Sequence, residues 1–125
     1  MKNINFIVLF SLCFFTLLNA QTFEENKMDC DAGHAQACYD AAKTYSTDGY
    51  KEKNYDSIKA SHKVATLYKK SCELGYAQGC TEYAMIYTAD QDRDPTKSMR
   101  YYLQQGCDSG DSKGCTILYM MPSTE

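Results

Sequence analysis

Cys30-DAGHAQA-Cys38, Cys72-ELGYAQG-Cys80 and Cys107-DSGDSKG-Cys115 are three copies of one pattern, and the rest of the chain reads as connections between them. Seven residues separate the two cysteines of each copy. Gly33, Gly75 and Gly110 stand three positions after the first Cys, and Ala37, Gly79 and Gly114 stand just before the second. On a continuous helix, residues eight apart are separated by about 12 Å. A disulfide requires Cα atoms within about 7 Å. If each pair is bridged, the chain has to reverse between its cysteines. Gly just past a helix end takes the left-handed conformation cheaply, so it supplies the reversal. Each copy therefore reads as a helix end, a Gly stop, a short turn, a small residue and the first turn of the next helix.

The chain has 125 residues, and the first twenty read as a leader. Lys2 precedes the apolar run Ile4 to Leu18, and Asn19-Ala20 follows it. A charged start, an apolar stretch and a small residue make a secretory signal peptide over 1–20, cut after Ala20. An uncleaved anchor is the alternative, although the run is short for a span of about 20 residues. Cys13 lies inside the run behind Leu12 and is a poor lipid-attachment candidate. Residues 21–125 are then one domain, secreted or periplasmic, with no stable membrane anchor once the leader is gone.

Setting Cys13 aside leaves six of the seven cysteines. An even number in an exported chain favours a disulfide framework. The repeat selects the sequential pairing Cys30–Cys38, Cys72–Cys80 and Cys107–Cys115. The formal charge is −3, or −4 without Lys2, and no basic stripe is present. Nucleic acid is therefore not the expected partner.

Gln21 to Met28 reads as a loose lead into a short helix ending near Cys30 and Gly33. After the second Cys of each copy the apolar spacing repeats: Cys38, Ala41, Ala42, Tyr45 and Cys80, Tyr83, Ala84, Tyr87 both fall at i, i+3, i+4, i+7. Cys115, Leu118, Tyr119 begin the same series before Pro122 cuts it short. That is one face of an amphipathic helix, helix A. Before the first Cys of the later copies, Val64, Leu67, Tyr68, Ser71, Cys72 match Met99, Tyr102, Leu103, Gly106, Cys107 position for position. This second helix, helix B, has Asp94 as a cap and Pro95 in its first turn in one copy. In the other copy, Asp56 is the cap and the helix runs longer. Ser46 to Tyr55 and Ala89 to Arg93 are polar loops, the first a solvated turn. The expected fold is all-α: antiparallel helices A-B-A-B-A stacked as a short α/α solenoid of helical hairpins, about two and a half repeats, cross-linked at each corner.

The C-x7-C corners, helix A ending in Tyr45 or Tyr87, and helix B ending small-Cys-x-x-Gly resemble Sel1-like repeats. They are most similar to the secreted cysteine-rich branch of that family, the Helicobacter cysteine-rich proteins, from Met28 to about Tyr119. The usual Leu-Gly pair of helix A is replaced by Ala42-Lys43, Ala84-Met85 and Tyr119-Met120. The resemblance implies an exported interaction module for a protein, a peptide or a cell-wall fragment. It also implies a second reading, a weak β-lactam-binding protein or β-lactamase.

The residues encode no known layout for that second reading. A serine β-lactamase activates its Ser with a Lys one helical turn on; neither Ser-x-x-Lys nor Lys-Thr-Gly occurs. A metal-dependent enzyme needs clustered ligands, and His34 and His62 are the only histidines, one in a corner and one on the outer part of a helix. Without Cys-x-x-Cys there is no thioredoxin-like motif. No cofactor or metal ligand is expected, and no catalytic residue can be named from the sequence. Tyr45, Tyr68, Tyr87 and Tyr102 read as core residues with a polar tip.

Function then rests on shape. Helix A faces line the concave side of such stacks, which makes Asp40, Lys43, Glu82 and Met85 the candidate ligand contacts, continued by Ile117 and Met120. The last helix leaves Ile117, Met120 or Met121 partly exposed. That end reads either as a docking surface for a partner or a second copy, or as a tail lying back on the repeat.

Overall fold

Six α-helices make up the computed structural model, which describes residues 21–48, 51 and 53–123. The signal segment expected over 1–20 lies outside the described residues. The helices are α1 (Phe23–Asp31), α2 (Ala35–Asp48), α3 (Ser57–Glu73), α4 (Ala77–Met85), α5 (Met99–Asp108) and α6 (Ser112–Met120), with a 3-10 turn at Tyr87–Ala89. The described residues contain no strand.

The same backbone bonds close each corner. Gly33, Gly75 and Gly110 have φ of 96°, 95° and 104°. Each donates its N–H to the first cysteine of its copy, Cys30, Cys72 or Cys107. The next residue donates to the carbonyl just before that cysteine: His34 to Asp29, Tyr76 to Ser71 and Asp111 to Gly106. This pair of bonds is the Schellman stop, which satisfies carbonyls that a helix end otherwise leaves open. The disulfides Cys30–Cys38, Cys72–Cys80 and Cys107–Cys115 then cross each corner with Cα atoms 4.4–4.5 Å apart. A side chain at Gly75 would meet no neighbour. Gly75→Ala therefore isolates the backbone cost of left-handed geometry, about 1 kcal/mol, with helix content unchanged in urea denaturation followed by circular dichroism.

In the second and third copies the position before the second cysteine is glycine because two helices cross there. A Cβ on Gly79 would stand 2.5 Å from Ser71 Oγ, and one on Gly114 would stand 2.6 Å from Thr81 Oγ1. Each helix packs mainly on its neighbours in sequence, with weaker contact between α2 and α4 and between α4 and α6. The core runs through Ala41, Ala42 and Tyr45 of α2, Val64, Leu67 and Tyr68 of α3, Tyr83 and Ala84 of α4, and Tyr102 and Leu103 of α5.

Several expectations are corrected. The lead before Cys30 is not loose: Thr22 Oγ1 accepts from Glu25 N and the Glu25 carboxylate accepts from Thr22 N, a capping box. Phe23 then packs on Tyr45, ring centres 5.1 Å apart. Asp56 caps α3, accepting from the Ile58 and Lys59 amides, and α3 is the longer helix B, at 17 residues against 10 for α5. Asp94 does not cap α5. Its carboxylate closes a local turn on Thr96 N and Oγ1, and Ser98 caps instead, accepting from Tyr101 N. Helix α4 stops at Met85, so Tyr87 falls in the 3-10 turn, where its hydroxyl donates to Lys97 O at 2.6 Å. In α6, Tyr119 does not join the inner face; it is 92% exposed because no described helix packs over it. Ile117 and Met121 are half-buried against the core while Met120 is exposed, and Arg100 Nη2 donates to Pro122 O at 2.7 Å, tying the tail to α5.

Candidate ligand-binding face and pocket

The A helices bring part of the expected contact set together around one ring. Tyr39 of α2 lies between Tyr68 of α3, at 5.5 Å, and Tyr76 of the second corner, at 5.2 Å. Burial raises the Tyr39 hydroxyl pKa, and the nearby carboxylates of Glu82, Asp40 and Asp111 raise it further. Asp40 and Glu82 thus share one electrostatic neighbourhood. Lys43 holds its ammonium 5.4 Å from the Tyr39 ring centre. Glu82 pairs with Lys113, linking α4 to α6. Met85 is exposed at the end of α4, one turn beyond Glu82. Ile117 does not join them, because it packs inward.

A pocket of about 210 Å³ opens elsewhere, between the end of α2, the start of α3 and the 3-10 turn. Its walls are Tyr45, Ala60, Val64, Ile86 and Ala89. Tyr55, Ser46 and Ser61 stand at its mouth. The apolar series placed Tyr45 on the inner face of its helix, and Tyr45 is both core and pocket wall. Ala60, Ser61 and Ala89 are the signal that was available: three small residues beside two tyrosines leave space that larger side chains would fill.

No family model, curated protein or solved structure matches the chain.

One polar cluster escaped the sequence reading. Asp90 is fully buried. Its Oδ2 accepts from the Tyr83 hydroxyl at 2.6 Å and the Lys69 ammonium at 3.2 Å, and its Oδ1 accepts from Asp92 N at 2.9 Å. Burial alone would raise the carboxyl; the Tyr83, Asp92 and Lys69 donors overcome it and hold the pKa below the usual carboxylate range. His62 is not on an outer face: its Nδ1 accepts from Gln91 N at 3.1 Å, and its Nε2 lies 3.6 Å from Asp92 Oδ2. His62, Asp90 and Asp92 converge closely enough to hold an ion. Their chemistry is otherwise engaged. Nδ1 acts as an acceptor, which leaves the ring proton on Nε2, and Lys69 already neutralises Asp90. The cluster pins the segment after α4 onto α3. His34 lies exposed in the first corner.

Proposed function

We propose that this chain is an exported, disulfide-stapled repeat protein of the Sel1-like kind that acts as an interaction module. Its A helices form the inner face of a short solenoid, and its ligand is a protein, a peptide or a cell-wall fragment. The observation that carries this reading is the Tyr39 neighbourhood, where a half-buried ring, two carboxylates and a lysine are held by α2, α4 and the second corner. A site carried on helices holds its contact groups more closely than one carried on loops. Helices that pack mainly on their sequence neighbours support the solenoid. Three intramolecular disulfides support an oxidising compartment. Among the described residues no helix is long and apolar enough to cross a membrane. The β-lactam reading has the resemblance alone behind it, and Ser46 and Ser71 commit their hydroxyls to the Lys43 and Ala35 carbonyls.

Photo-crosslinking tests the face directly. A benzophenone at Met85 should yield adducts with a cell-envelope extract or culture supernatant of the source cells. The same group at Met28, exposed on α1, should yield about tenfold less, and Lys43→Glu should remove the Met85 adducts. Equal labelling from both sites, or none, rejects the reading.

A further inference from the structure

We infer that the pocket between α2, α3 and the 3-10 turn is an anchor site for one large apolar side chain of an acidic peptide. The inference rests on the interaction-module reading and names the class of partner. At about 210 Å³ the pocket is below the roughly 300 Å³ at which drug-sized ligands begin to be enclosed. It matches one aromatic or branched aliphatic side chain. Tyr45, Val64 and Ile86 give it apolar walls without a charged group, so the inserted group is apolar. The apolar surface continues outward: Tyr55 at the mouth is 48% exposed, and Ile58, one turn before the pocket residue Ser61, is 68% exposed.

The rim supplies the sign of the peptide. Residues 51–63 carry Lys51, Lys53, Lys59 and Lys63 against Glu52 and Asp56, a basic stretch in a chain that is acidic overall. Asp48 pairs with Lys51 at 2.7 Å and Asp56 with Lys59 at 4.0 Å, so the positive charge near the mouth that no described carboxylate offsets comes from Lys53 and Lys63. Lys63 lays its ammonium over the Tyr45 and Phe23 rings, 4.0 and 4.6 Å from their centres, with no carboxylate within 4 Å among the described residues. A positive rim around an apolar hole selects an anchor residue flanked by Asp or Glu, since charge steers the approach and the buried side chain sets the dwell time.

Fluorescence anisotropy decides it with three labelled peptides: an acidic one with a central Phe, the same with Ala, and a basic one with Phe. The acidic Phe peptide should bind at least tenfold more tightly than either of the others. Ser61→Trp, which fills the mouth from an exposed position, and Ala89→Leu, which fills the opposite wall, should each remove that preference. Lys53→Glu with Lys59→Glu should weaken binding about tenfold at low salt and little at high salt. Equal binding of the Phe and Ala peptides, or no binding by a folded protein, overturns the anchor site. Binding lost in Lys43→Glu but kept in Ser61→Trp overturns the anchor site while leaving the interaction-module reading intact.

Discussion

Asp90→Ala should lower stability by about 3 kcal/mol, the largest loss expected from any single substitution outside the cysteines. The fully buried carboxylate gathers the Tyr83 hydroxyl, the Lys69 ammonium and the Asp92 amide. Removing it leaves the Tyr83 hydroxyl and the Asp92 amide without their acceptor, and the mostly buried Lys69 cation with only the Asp92 carbonyl, 3.3 Å away. An unmet buried donor costs more than the net worth of the bond it made. Tyr83→Phe should cost only about 1 kcal/mol, because Asp90 keeps its other two donors. Urea denaturation at pH 7 gives the order; equal losses in the two variants would show that the cluster does not act through the carboxylate.

The same group sets an acid limit. Asp90 has a folded-state pKa held below its ordinary value, which is near 3.9 in an unfolded chain. Its ionised form therefore contributes stability that is complete above about pH 4 and lost as pH falls through the lower folded value. Asp90→Asn should flatten the fall in stability below pH 4. The slope should shrink rather than vanish, because Asp31, held low by Lys27 and Lys70, and Asp94, held low by Thr96, titrate in the same direction.

That cluster shows where sequence reading stops. The corners could be read because their chemistry is local: a glycine three residues past a cysteine dictates a left-handed stop, and eight residues fix whether two cysteines can meet. The helix B faces could be read because Val64, Leu67 and Tyr68 repeat as Met99, Tyr102 and Leu103. Asp90 reaches Lys69 across 21 residues, and no periodicity announces a contact of that kind. The early end of α4 follows from it, since the chain has to turn back after Met85 to bring Asp90 inside. The cap on α1 was readable as Thr22-x-x-Glu25, a capping-box spacing passed over as a loose lead. Register alone grouped Asp40, Lys43 and Glu82, and the fold sets all three around the Tyr39 ring. Register could not reveal the pocket, because it exists only where α2, α3 and the turn after α4 come together.

Graded reduction should open the three bridges in order, Cys107–Cys115 first and Cys30–Cys38 last. Exchange needs a thiolate to reach a sulfur. Cys30 and Cys38 are both fully buried, whereas Cys107 and Cys115 are half-buried. The consequences should differ as well. Each bridge closes a ring of the same size, so the chain-entropy account assigns each roughly 2.5 kcal/mol. The surroundings then decide where that loss appears. Cys72–Cys80 joins α3 to α4, which pack on helices both before and after them. Cys72→Ser with Cys80→Ser should therefore lower the stability of the whole fold by about the full amount. Helix α6 fully buries only Gly114 and rests mainly on α5. Cys107→Ser with Cys115→Ser should release α6 locally, visible as fast amide exchange over 112–120 with little change in the global urea midpoint. Alkylation mapping after limited reduction checks the order, and hydrogen exchange checks the locality. A terminal variant that unfolds as completely as the central one would mean that α6 folds only together with the rest of the chain.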